Sequence, residues 1–176
     1  VSLVGSEMCI RDSSYGDVLG AGKGWSSTIN FSDSIQEQFL KFFEDEQKFT
    51  LGVCNGCQML SSIKEIIPGT DFWPSFQKNH SDQFEARLSQ VKILKSKSVL
   101  FNGMEDWSLP IIVSHGEGRA SFENEDEINK LFDSEKICMT FVDSSGYQTE
   151  QYPLNPNKSP SGTVSYTHLT LPTNDL

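Results

Sequence analysis

One cysteine stands where a nucleophile would. Cys54 lies in Gly52-Val-Cys-Asn-Gly-Cys-Gln58, between a short β-prone run, Phe49 to Val53, and a helical stretch. A nucleophile on a strand-to-helix turn needs small neighbours, because the backbone bends sharply and the side chain must project into a cleft. Gly52 and Gly56 supply them. The start of the following helix offers unpaired N–H groups and the positive end of a dipole, and both favour a thiolate. The backbone amide of Asn55 is placed to donate to the oxyanion formed when that thiolate attacks a carbonyl. The chemistry so described is acyl transfer through a thioester.

Other readings of the same residues stay open on spacing alone. A cysteine in a small-residue turn is often a buried apolar filler. Cys54-x-x-Cys57 is also the spacing of a redox pair or of half a zinc site. Zinc needs a second ligand pair, and Cys138 with three scattered histidines does not supply one at a recognisable spacing. A redox pair does not require the surrounding glycines. Gly22-Lys23-Gly24 superficially resembles a phosphate loop, but Asp17 stands where glycine is needed and no Ser or Thr follows Lys23 directly, so ATP binding here is set aside.

The elements around these residues follow an αβ rhythm. Ser14 to Trp25 is glycine-dense, with Gly16, Gly20, Gly22 and Gly24, and reads as a loop. Ser34 with Glu37 forms a capping box, and Ile35, Phe39, Phe42 and Phe43 then share a face of a helix running to about Gln47 and packing on the sheet. After Cys54, Met59 to Ile67 continue as a helix that Pro68-Gly69 ends. Strand, glycine turn and helix in this order predict an α/β fold with three layers and a mostly parallel sheet. Asp71 to Arg87 reads as a long loop and Leu88 to Leu94 as a strand. Val99 to Phe101 and Ile111 to Val113 read as short strands about a Gly103 turn. Glu123 to Phe132 is a short acidic helix whose first residues face solvent, Ile137 to Val142 a buried strand, Asp143 to Gly146 a turn, and Gln151 to Gly162 a loop.

Composition narrows the function further. The chain has 176 residues, 36% of them hydrophobic, which is material for one ordinary domain. Its net charge of −10 argues against phosphate backbones and anionic lipid, so neither a nucleic acid nor a membrane is an expected partner. There is no apolar run near the roughly 20 residues that span a bilayer and no secretory leader pattern, so a cytoplasmic location is expected. The two ends differ from the middle. Residues 1–13 (VSLVGSEMCIRDS) and residues 164–176, which begin VSYTHLTLPTN, look like translated adaptor sequence, leaving 14–163 as the expected domain. Cys9 and His168 are accordingly given no chemistry.

Gly52-Val-Cys-Asn-Gly-Cys-Gln58 matches the G-x-C-x-G-x-Q nucleophile motif of class I, triad-type glutamine amidotransferases. Ser14-Tyr-Gly-Asp-Val-Leu-Gly-Ala-Gly22, Leu51 to Leu60 and Ser114-His-Gly-Glu-Gly-Arg119, in that order, resemble the C-terminal glutaminase domain of the large, single-chain phosphoribosylformylglycinamidine synthases. Asn79 to Arg87 and Gln151 to Asn157 are similar too, so the resemblance covers residues 14–163. It implies a flavodoxin-like amidotransferase fold, incomplete at both ends, with glutamine as substrate. Cys54 is then the nucleophile and Cys57 occupies a variable position. Tyr15, Gly16, Gly20, Gln58 and His115 line the glutamine pocket, with Glu117 and Arg119 pocket-lining or structural beside His115. The resemblance implies no cofactor or metal in this domain, and ATP with Mg in a synthetase region of the same polypeptide that receives the ammonia. The 79–87 loop would shape the entrance or touch that region.

Two departures qualify this. The glycine-rich stretch that contributes to the oxyanion hole in the family is absent before Tyr15. The family's triad is completed by a His-Pro-Glu segment, and no His-Pro-Glu occurs here. The fragment is therefore expected to be a poor or inactive glutaminase without its general base. His115 is not the family's base, and His80, in the polar loop, is expected to be exposed or hydrogen-bonded rather than catalytic. The competing readings are another class I amidotransferase, a peptidase-like relative using Cys54, and a docking domain that has kept the fold without turnover.

Overall fold

The computed structural model describes residues 7–10, 20–45 and 48–167, the first four by backbone only. The chain divides into two compact units, residues 1–71 and 72–176.

In the first unit, β1 (Glu7–Ile10) pairs in parallel with β2 (Phe49–Gly52), from Glu7 opposite Phe49 to Ile10 opposite Gly52. Parallel neighbours need a crossover, and α1 (Ala21–Asn30) and α2 (Asp33–Phe43) lie within it. β2 leads through Cys54 into α3 (Asn55–Ser62), and a 3₁₀ turn, Lys64–Ile66, follows. β1 lies within the segment expected to be adaptor-derived. Ladder bonds are made by backbone groups, so the pairing carries no information on the origin of those residues.

The glycine-dense stretch is not all loop: from Ala21 it is helix. Gly20 precedes α1 at φ 81°, a conformation that suits glycine, and the amides of Lys23 and Gly24 donate to its carbonyl at 3.0 and 3.2 Å. Gly22 faces α3 so closely that a Cβ would sit 2.7 Å from Gln58 Cβ and 2.9 Å from the Asn55 carbonyl oxygen. Helix-to-helix contact thus explains a glycine that helix propensity disfavours. Gly22→Ala is expected to destabilise this unit by about 1–3 kcal/mol, net of a propensity gain of about 1 kcal/mol. Denaturant unfolding checks this; an unchanged or higher midpoint would contradict the close packing.

α2 begins earlier than the Ser34–Glu37 box suggests. Ser32 is its N-cap residue, and Ile35 and Gln36 donate to the Ser32 carbonyl at 3.0 and 2.9 Å. Glu37 pairs instead with Lys41 at 2.7 Å, one turn on. The helix ends at Phe43, and Gln47 lies outside the described residues. No residue of α2 is buried. Phe39 and Phe42 pack on Phe43 at ring separations of 5.8 and 5.6 Å, so the aromatic face exists but its rings cover one another rather than disappearing into a core.

The second unit is antiparallel. β4 (Glu85–Ile93), β5 (Ser108–His115), β7 (Ile137–Phe141) and β8 (Thr163–Tyr166) form a sheet in the order β5-β4-β7-β8, and β3 (Ser75–Gln77) pairs with β6 (Arg119–Ser121). The α/β class holds, but the expected predominance of parallel strands does not. Among the described residues only β1 and β2 are parallel. An antiparallel sheet can leave one face in water, and β4 shows it. Val91 and Ile93 are buried, while Leu88 on the other face is 70% exposed opposite Ile112 of β5, which is 80% exposed. The core behind β4 joins Val91, Val113 and Phe141, with Leu109, Ile111, Met139 and Val164 packed on it.

Three local expectations change here. Asp71 to Arg87 contains β3 and the start of β4, because Asn79 ties its middle down. Val99–Phe101 is a 3₁₀ turn closed by Met104 N–H on the Phe101 carbonyl at 3.0 Å, with Gly103 at φ 79° turning the chain before a strand could form. α4 (Glu125–Asp133) is the acidic helix, but its start is not merely solvated. Asn124 accepts from the Glu127 amide at 3.2 Å, and the buried Glu127 carboxylate accepts from the Glu123 amide at 3.0 Å, a reciprocal cap. The buried strand at 137–141 and the Asp143–Gly146 turn form as expected.

Candidate active site

Cys54 sits at the exit of β2, immediately before α3, with φ 56° and ψ −120°. A non-glycine residue is rarely held there, and the cost of order 1–3 kcal/mol is tolerated only where surrounding packing enforces it. That packing is visible. A Cβ on Gly52 would come within 2.9 Å of the Gly56 carbonyl oxygen and 2.5 Å of Leu60 Cδ1. Gly56 N–H donates to the Val53 carbonyl at 3.0 Å, and the Cys57 and Gln58 amides donate to the Cys54 carbonyl at 3.0 and 3.2 Å.

Cys54 is exposed. A buried filler would not be, and the cysteine that behaves as filler is Cys138, enclosed in β7. Burial, with Cys54 beside it, pushes the Cys57 thiol up to about 12. At neutral pH Cys57 is therefore protonated and a weak nucleophile. Asn55 is buried as the first residue of α3, and Gln58 is half-buried on the face that Gly22 approaches. Gly20, with open space where a Cβ would stand, begins α1. Gly22 of α1 thus packs against Asn55 and Gln58 of α3, the helix that Cys54 precedes. Tyr15 and Gly16 lie outside the described residues. Among the described residues no group of three His, Cys, Asp or Glu side chains could hold a metal ion.

His115 belongs to the second unit, at the end of β5 opposite Glu85. Burial lowers the pKa of its imidazole, against smaller upward pulls from its own backbone and from Glu85, and so favours the neutral ring. Its Nδ1 is buried without a hydrogen-bond partner, and a side chain at Gly118 would collide with the ring. Glu85 is buried, accepts from Ser81 Oγ at 2.7 Å and binds Arg87 at 2.5 Å. Arg87 also donates to Tyr152 Oη at 2.8 Å and lies over its ring. Arg119 donates to Gln77 Oε1 and the Lys78 carbonyl, a structural task across β3 and β6. His80 is exposed.

The residue that organises this region was not singled out in the sequence. Asn79, fully buried, donates from Nδ2 to the Gln83 carbonyl at 3.0 Å and the His115 carbonyl at 2.7 Å, and its Oδ1 accepts from Gly118 N–H at 3.1 Å. Asn157 Nδ2 holds the Gly118 carbonyl at 2.5 Å. The only available signal was that the Asn79 and Asn157 blocks belong to the same family resemblance.

An exposed cysteine on a strained strand-to-helix turn, flanked by glycines and followed by a helix N-terminus, is the kind of arrangement a thiol nucleophile requires. Residues 8–169 match the CobB/CobQ-like glutamine amidotransferase domain, and the chain belongs to that family.

Proposed function

We propose that this domain is the glutaminase part of a phosphoribosylformylglycinamidine synthase. The observation that carries the reading is Cys54 itself, exposed at φ 56° between β2 and α3 in a glutamine amidotransferase domain. The Cys54 thiolate attacks the side-chain carbonyl carbon of glutamine, and the Asn55 amide stabilises the resulting oxyanion. Collapse of the tetrahedral species breaks the C–N bond, and the nitrogen takes a proton from solvent and leaves as ammonia. Water then hydrolyses the glutamyl thioester to glutamate. The ammonia serves an ATP- and Mg-dependent synthetase region of the parent polypeptide, where formylglycinamide ribonucleotide becomes the amidine of purine synthesis. That assignment is supported by the order of the residue blocks from Ser14 to Asn157. The general base is carried in such enzymes by a His-Pro-Glu segment that this chain does not contain. The cytoplasm is the proposed location. No helix among the described residues is long and apolar enough to cross a membrane.

A glutamine-analogue diazo-ketone tests the reading. Peptide mass spectrometry is expected to find the adduct on Cys54 and none on Cys57. Absence of any adduct, even after a His-Pro-Glu segment is appended, would point to a docking domain without turnover. An adduct confined to Cys57 would move the nucleophile.

A further inference from the structure

The nucleophile has a second thiol one turn away that the glutaminase reading does not use. Cys57 N–H donates to the Cys54 carbonyl at 3.0 Å, which closes a turn between them. Such a closure holds the two Cα atoms within about 7 Å, and disulfides span Cα separations of about 4.4–6.8 Å. Cys54 is exposed to a solute and stands before a helix N-terminus, whereas Cys57 is half-buried in the first turn of α3. Cys138 lies in the other unit.

We propose that Cys54 and Cys57 form a reversible disulfide when the domain meets a peroxide, capping the nucleophile and protecting it from irreversible oxidation. The inference rests on the reading of Cys54 as a reactive thiol. In the first step the Cys54 thiolate attacks a peroxide oxygen. An S–O bond forms, the O–O bond breaks, and hydroxide or an alkoxide leaves and takes a proton. Sulfur is oxidised to the sulfenic acid and the peroxide is reduced. In the second step the Cys57 sulfur attacks Cys54 Sγ. An S–S bond forms, the S–O bond breaks, and the thiol proton leaves with the hydroxyl as water. A dithiol reverses the bridge by exchange. Burial makes Cys57 a slow attacker, so closure outruns over-oxidation only when peroxide is scarce.

The full chain is treated with stoichiometric hydrogen peroxide, alkylated under denaturing conditions and digested with trypsin. Peptide 49–64, bounded by Lys48 and Lys64, contains both cysteines. It is expected two hydrogen atoms lighter with no alkyl group, and to regain both alkyl groups after dithiothreitol. In Cys57→Ser the same treatment is expected to carry Cys54 on to the sulfinic acid. Wild-type peptide with Cys54 over-oxidised and Cys57 alkylated, an unreacted Cys54, or a bridge to Cys9 or to another chain would each overturn the proposal. The diazo-ketone experiment keeps the two readings apart. Labelling of Cys54 without a bridge sinks only this inference, and a bridge without labelling sinks only the glutaminase.

Discussion

In a chain extended to carry the His-Pro-Glu segment, Cys54→Ala is expected to lower kcat for glutamine hydrolysis by roughly 10⁴–10⁶-fold, the size seen when a covalent nucleophile is removed from an intact site. The loss should fall on kcat, because the sulfur forms a bond in the transition state and contributes little to holding glutamine. Alanine at φ 56° keeps the turn no more strained than cysteine does, so the folded state should survive, as a circular dichroism spectrum would check. Cys57→Ala should leave turnover nearly unchanged, since its thiol is held protonated. Ammonia release measured on both variants decides the matter: substantial activity in Cys54→Ala would refute the assignment.

Asn79→Ala is expected to destabilise the second unit by about 2–4 kcal/mol. Three backbone groups that now pair with its side chain, the carbonyls of Gln83 and His115 and the amide of Gly118, would lose their partner. For a chain of this length that corresponds to a fall in thermal midpoint of roughly 5–15 °C. Asn79→Asp should be at least as damaging. It keeps an acceptor for Gly118 but sets a buried carboxylate against two carbonyl oxygens. Calorimetry on both variants checks this, and a midpoint within a degree or two of the parent would mean that the 79–87 segment is not anchored as described.

What could be read from the residues and what could not divides by sequence separation. The strand-to-helix turn at Cys54 is legible because everything it needs lies between Gly52 and Gln58: small neighbours and the first residues of a helix. α4 and β7 are legible for the same reason, through a local acidic run and a local apolar run. α1 is not. Its glycines argue for a loop, and the reason for Gly22 is the Asn55 carbonyl, more than thirty residues on. Asn79 is equally silent, because its partners at His115 and Gly118 are 36 and 39 residues away. The capping box in α2 misleads because the helix already starts at Asp33, with Ser32 rather than Ser34 as its N-cap. The parallel expectation extends the rhythm around Cys54 to strands whose connections return them antiparallel.

Leu88 and Ile112 stand opposite each other in water on one face of the sheet, and β5 is one of its two edge strands among the described residues. Hydrocarbon on such a border invites strands of neighbouring molecules to adhere. The counterweight is mutual repulsion between chains carrying ten surplus negative charges. That repulsion fades as acidity approaches the isoelectric point near 4.7, so colloidal dispersal of this domain is a property of its carboxylates rather than of its shape.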